Sequence, residues 1–187
     1  MSRFSLTDLP LAGLKKVKRQ KLGDERGFFA RVFCAAELSI CGWQGPIAQI
    51  NHTYTAKKGS VRGLHFQLPP FSEIKLVSCL KGQVWDVVVD LRADSATFLH
   101  WHAEKLTSDN GIGLLIPEGF AHGFQTLCDD VELLYCHSQA YQPKAEAGLN
   151  LLDPRLSINW PLPISQCSER DQAFSLLDAE YAGVDLK

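Results

Sequence analysis

Short apolar runs, punctuated by scattered glycine and proline, fill this chain without an internal repeat, a low-complexity tract or a linker. The pattern predicts a single domain over residues 1–187. Runs at 75–80, 83–91, 113–116 and 131–137 are rich in β-branched and aromatic residues, the composition of strands. Turn chemistry separates them: Lys81-Gly82 reads as a hairpin turn, Ser108-Asp109-Asn110-Gly111 as a second turn and Cys128-Asp129-Asp130 as a third. Strands recurring at such intervals predict a mainly antiparallel sandwich or barrel. Helical signals are peripheral. Ala35-Ala36-Glu37-Leu38 is a short one, and Ser168-Glu169-Arg170-Asp171 has the S/T-x-x-acid form of a helix start. Ala173, Phe174 and Leu177 follow at helical spacing, so this second helix is predicted to run to about Tyr181.

Composition narrows the class. The chain is 45% hydrophobic and 21% charged, which suits a globular protein with a buried core and excludes global disorder. Nineteen basic against 21 acidic residues leave no basic excess for a duplex, so no nucleic-acid partner is expected. The longest apolar stretches fall well short of the roughly 18 residues of a bilayer span, so no membrane partner is expected either. Near the N-terminus the basic cluster follows a mixed segment, the wrong order for a secretory signal, and the expected location is the cytoplasm. The six cysteines form no C-x-x-C pair and read as reduced, buried small hydrophobes. His100-Trp101-His102 would place both imidazoles on one strand face, but supplies no third or fourth metal ligand.

Several residues have the chemistry of a polar pocket. In Val61-Arg62-Gly63-Leu64-His65-Phe66-Gln67, alternation puts Gly63, His65 and Gln67 on one face, either lining a pocket or lying on an ordinary strand. Lys75 sits in an otherwise apolar run; it is either a solvated lysine or an inward ammonium awaiting negative charge. His122 lies between glycines and aromatics in Ile116-Pro117-Glu118-Gly119-Phe120-Ala121-His122-Gly123-Phe124, as a core histidine or a ligand contact. Tyr135 follows two leucines and is either core packing or a proton donor. By spacing alone, Asp171 is a helix cap.

Taken in order, these segments are similar to the dTDP-4-dehydrorhamnose 3,5-epimerase family. Further matching motifs are Gly23-Asp24-Glu25-Arg26-Gly27-Phe28-Phe29, Gln49-Ile50-Asn51-His52 and Ile158-Asn159-Trp160-Pro161, so the resemblance spans nearly the whole chain. It implies a cupin-like antiparallel β-barrel (jelly roll) with short peripheral helices, forming a homodimer with exchanged N-terminal strands and needing no metal or cofactor. The implied substrate is a nucleotide-linked 4-keto-6-deoxyhexose, inverted at C3 and/or C5 through an enolate. Carried over by position, His65 is the base, Asp171 its carboxylate partner, Lys75 the enolate stabiliser and Tyr135 the acid. Arg62, Gln49, Asn51, His122, Tyr141, Glu146 and Arg170 are implied sugar-nucleotide contacts, with Arg26 reaching across the dimer. One departure is Arg31, which stands where thymidine-nucleotide members carry a glutamate; an arginine only donates hydrogen bonds. The alternatives are therefore a single-centre epimerase or ketoisomerase on a related, for example CDP-linked, sugar, and a non-catalytic sugar-nucleotide-binding cupin.

Overall fold

A computed structural model describes residues 2–186. In chain order it has strands β1 (Phe4–Asp8), β2 (Lys15–Arg19), β3 (Lys21–Asp24) and β4 (Gly27–Ala30), then a helical turn α1 (Ala35–Leu38). Next come β5 (Gln49–Thr55), β6 (Val61–Gln67), β7 (Lys75–Lys81), β8 (Gln83–Asp90) and β9 (Trp101–Thr107). Strands β10 (Ile112–Ile116), β11 (Phe120–Thr126), β12 (Val131–His137) and β13 (Glu146–Gly148) precede a one-turn helix, α2 (Glu169–Gln172). A six-stranded sheet has the order β1-β2-β10-β7-β12-β5 and a five-stranded sheet the order β13-β6-β11-β8-β9. All neighbours in both sheets pair antiparallel. The sheets stack face to face in the cupin-like arrangement without closing edge to edge.

Burial on both faces explains why the central strands read as continuous apolar runs. Val84 and Val88 of β8 point into a shared interior with Val77, Leu114 and Leu133 of the facing sheet. Val87 and Val89 point the other way, into a cluster with Leu149, Leu156 and Val184 from the C-terminal segment. The outer face of the six-stranded sheet is covered by Leu38, Cys41 and Trp43, packed on Val17, Leu76 and Leu115. Each fully buried aliphatic side chain contributes about 1.5–3 kcal/mol. Cys41, Cys79 and Cys136 are buried as expected, whereas Cys34, Cys128 and Cys167 are only partly so; all six are free thiols.

Two local expectations change. The C-terminal helix is one turn long and does not reach Tyr181. Tertiary contacts replace its next turns: the Phe174 carbonyl accepts from Asn150 Nδ2 at 2.8 Å, and the Leu177 N–H donates to Asp153. His100 lies outside β9, while His102 lies within it, with Nε2 3.7 Å from Glu104. Strands β3 and β4 form a hairpin that joins neither large sheet and leaves Phe28 and Phe29 63% and 67% exposed. No helix among the described residues is long and apolar enough to cross a membrane.

Candidate active site

The interior between the sheets is zoned. Leucine, valine and phenylalanine fill one part, and a cavity of about 1320 Å³ occupies the rest. From the five-stranded sheet His65 and His122 line it, and from the six-stranded sheet Asn51, Lys75, Tyr135 and His137. A buried polar group left unpaired costs about 1–3 kcal/mol. The partners of these side chains therefore define the site.

Strand β6 packs Leu64 and Phe66 into the cluster with Val87 and Leu149 and presents His65 to the cavity. The His65 Nε2 lies 2.8 Å from Asp171 Oδ1, although the residues are 106 apart in sequence. Asp171 is placed by α2: its backbone N–H donates to the Ser168 hydroxyl at 3.1 Å, so Ser168 is the cap and the Asp171 carboxylate is free for other partners. The second carboxylate oxygen accepts the Gly63 N–H at 3.1 Å. Only glycine fits there, because φ is +121° and a Cβ would stand 2.5 Å from Gly123 Cα.

Burial alone would raise the Asp171 pKa, but hydrogen bonds from Gly63 and His65 hold it below the ordinary carboxylate value. Burial pushes His65 down, against the pull of Asp171 and with the help of the Arg170 guanidinium. The imidazole is thus neutral near pH 7. Arg170 Nη2 also lies 3.0 Å from His65 Nε2, but that nitrogen has one in-plane position. With Nε2–H donated to the carboxylate, the lone pair sits on Nδ1, which is the basic nitrogen.

Tyr135 rises from β12 in the facing sheet, buried against the His122 ring at 5.9 Å between centroids. Burial, reinforced by the nearby Asp86 carboxylate, pushes the phenol strongly upward, so it stays protonated. Lys75, at the start of β7, points inward and its Nζ lies 3.0 Å from Glu73 Oε1. His122 bonds through Nε2 to both Asp86 oxygens at 3.0 Å. Burial raises the Asp86 carboxyl, with His122 opposing.

The expected binding residues mostly gather at the mouth. Tyr141, half exposed, donates its hydroxyl to Glu146 at 2.6 Å, and Arg170 holds the other Glu146 oxygen at 3.0 Å. Gln49 does not line the cavity; it accepts the Tyr141 N–H at 2.9 Å and donates to Asn51 at 3.0 Å. Arg62 lines the cavity, its Nε on Thr55 Oγ1 at 3.0 Å. Arg26 is not brought to the cavity of its own chain: it sits at the β3–β4 turn, held by Asp24 at 2.6 Å. Arg31 pairs with Glu37 and is likewise off the lining. Glu73, His137 and Asp86 were not singled out by sequence. The available signal was period two: Glu73 precedes Lys75 by two residues and His137 follows Tyr135 by two.

An imidazole on one sheet, paired with a carboxylate from α2 and facing a buried phenol and an ammonium on the other sheet, places the chain among the cupin-like isomerases. Comparison with known proteins gives the family. The dTDP-4-dehydrorhamnose 3,5-epimerase family matches residues 8–179, and the chain belongs to it. It is 39% identical over 166 residues to the dTDP-4-dehydrorhamnose 3,5-epimerase of Sinorhizobium fredii, covering 88% of this chain and 85% of that one. A dTDP-4-dehydrorhamnose 3-epimerase of Streptomyces niveus is 35% identical over 181 residues, covering 96% of this chain and 87% of that protein. Among solved structures, the Legionella pneumophila dTDP-6-deoxy-D-glucose-3,5-epimerase in complex with dTDP-4-keto-L-rhamnose superimposes with a TM-score of 0.89 at 36% identity, covering 97% of this chain and 98% of that one.

Proposed function

We propose that this protein epimerises a dTDP-linked 4-keto-6-deoxyhexose at C3 and C5, with His65 as base, Asp171 as its partner, Lys75 as enolate stabiliser and Tyr135 as acid. The observation that carries the reading is the placement of His65 and Tyr135 on opposite walls of one cavity. Inversion needs a proton removed from one face of the ring and returned to the other. The ketone at C4 acidifies the hydrogens at C3 and C5, a neutral imidazole takes one, and negative charge gathers on O4. An ammonium 4 Å from that oxygen is worth about 4 kcal/mol at an effective dielectric near 20, and this attraction grows as the charge forms. The protonated phenol then delivers its proton to carbon from the far side.

Arg62 and Arg170 suit a pyrophosphate by charge and fork geometry. Arg170 is 55% exposed, so its pairing with Glu146 is worth about 0–1 kcal/mol and exchanges readily for a phosphate. Tyr141 offers a π-face to the base. Arg31, already paired with Glu37, lends the cytidine alternative no support. The isolated β3–β4 hairpin, with Phe28 and Phe29 exposed, supports a homodimer in which it seats on a second copy and brings Arg26 to that copy's cavity. Six free thiols fit the reducing cytoplasm. The 3-epimerase relative favours a second reading, inversion at C3 alone.

The test is incubation with dTDP-4-keto-6-deoxyglucose in D₂O, following deuterium by NMR with a reductase to trap product. Label at C3 and C5 is expected; label at C3 alone establishes the second reading, and no label with any nucleotide sugar refutes both.

A further inference from the structure

Beside Tyr135 lies a buried ionic chain of which the reaction scheme uses only Lys75. Glu73 joins Lys75 and His137: Oε1 is 3.0 Å from the ammonium and Oε2 is 2.7 Å from His137 Nδ1. The side chains of Glu73, Lys75 and His137 are only 9%, 10% and 10% exposed, and all three line the cavity. Placing a carboxylate against an enolate-stabilising ammonium weakens the attraction that the ammonium offers to O4. A compensating gain is required.

The backbone is built to keep the chain in place. His137 on β12 is the register partner of Lys75 on β7. The segment carrying Glu73 is pinned through Ile74 to Ser138, the residue that follows β12: the Ile74 N–H donates to Ser138 Oγ at 2.8 Å, and the Ser138 N–H donates to the Ile74 carbonyl at 3.0 Å. Both ring nitrogens of His137 have partners. Its Nδ1–H donates to Glu73, its Nε2 lies 3.4 Å from Asn51 Nδ2, and its plane stacks on Tyr135 at 6.0 Å and 17°. Lys75 and His137 hold the carboxylate ionised against the effect of burial.

A lysine on its flexible four-carbon stem can swing its ammonium through many positions. Glu73 fixes that position before substrate arrives. The His137 N–H draws on the carboxylate's charge, leaving more of the ammonium's field for O4.

We propose that Glu73 and His137 are positioning residues for the reaction: His137 orients the Glu73 carboxylate, and Glu73 holds the Lys75 ammonium at one point on the wall that carries Tyr135. The inference rests on the epimerase reading and on Lys75 as enolate stabiliser. Because the enolate charge develops only as the reaction proceeds, losing this support lowers kcat and leaves KM nearly unchanged.

Wild type, Glu73→Gln, Lys75→Met, their double variant, His137→Asn and His137→Leu are compared by deuterium uptake from D₂O into dTDP-4-keto-6-deoxyglucose, with thermal midpoints for each. Glu73→Gln is expected to lose about 10- to 100-fold in kcat, as misplacement of a catalytic group does. In the Lys75→Met background the same change is expected to cost less than about twofold, since residues acting as one unit are not additive. His137→Asn, whose amide can donate from the position of Nδ1, keeps most of the activity, while His137→Leu falls with Glu73→Gln. Equal activity of the two His137 variants, a full Glu73→Gln penalty without Lys75, or an unchanged kcat in Glu73→Gln overturns the proposal. Wild type that exchanges no carbon-bound hydrogen overturns the epimerase reading and the proposal together.

Discussion

Replacing Asp171 by asparagine isolates the role of the carboxylate behind His65. The side chain is 3% exposed and its two oxygens accept from His65 Nε2 at 2.8 Å and from the Gly63 N–H at 3.1 Å. An amide has one acceptor, so whichever way it turns, one of its donors faces another donor. The Gly63 N–H cannot move its proton, and leaving it unpaired costs about 1–3 kcal/mol. The imidazole can change tautomer. The amide oxygen therefore stays on Gly63, the amide NH₂ faces His65, and the imidazole lone pair moves from Nδ1 to Nε2, where the amide occupies it.

The charge-assisted bond that would stabilise the imidazolium is lost as well, worth about 1.5–3 kcal/mol, or about 10- to 150-fold in rate. With the tautomer also wrong, the loss is expected to approach about 10⁴-fold. The Ser168 cap and the Gly63 contact survive, so the fold should persist. The assay is deuterium uptake at C3 and C5 in D₂O. A second signature is the acid limb of kcat/KM: Asp171 raises the His65 pKa, so its removal shifts that limb of the residual activity to lower pH. Activity within threefold of wild type would refute the imidazole–carboxylate assignment.

In the unmodified protein, burial holds His65 below its usual value near 6.5, so kcat/KM should stay level down to about that pH and fall only below it as the imidazole takes a proton. Tyr135→Phe keeps the packing against His122 but removes the hydroxyl proposed as the acid, and inversion should slow by about 10²- to 10⁴-fold with the thermal midpoint little changed. Gly63→Ala forces a Cβ to within 2.5 Å of Gly123 Cα, and overpacking of this kind costs about 1–3 kcal/mol, readable as a lower urea midpoint. Phe28→Ser with Phe29→Ser should convert a dimer to monomers in sedimentation velocity; an unchanged dimer would remove the hairpin from the proposed interface.

Much of this molecule is local in origin. Apolar runs and turn residues mark the central strands to within a residue or two, because β-branched side chains and glycine bends act over a few neighbours. Ser168 caps α2 for the same reason. Ordered motifs also carried the family, which matches residues 8–179. Tertiary structure decided the rest. Period two shows which residues share a face, but it cannot show which face meets the cavity, so sequence leaves Lys75 open between a solvated lysine and an inward ammonium, and Tyr135 between packing and chemistry. The length of α2 was set by Asn150 and Asp153 drawing the following residues off the helix. The His65–Asp171 contact joins residues 106 apart, and Glu73 meets His137 across 64. Such pairs depend on sheet register and stacking, which bring distant segments of chain together and leave no local pattern in the order of residues.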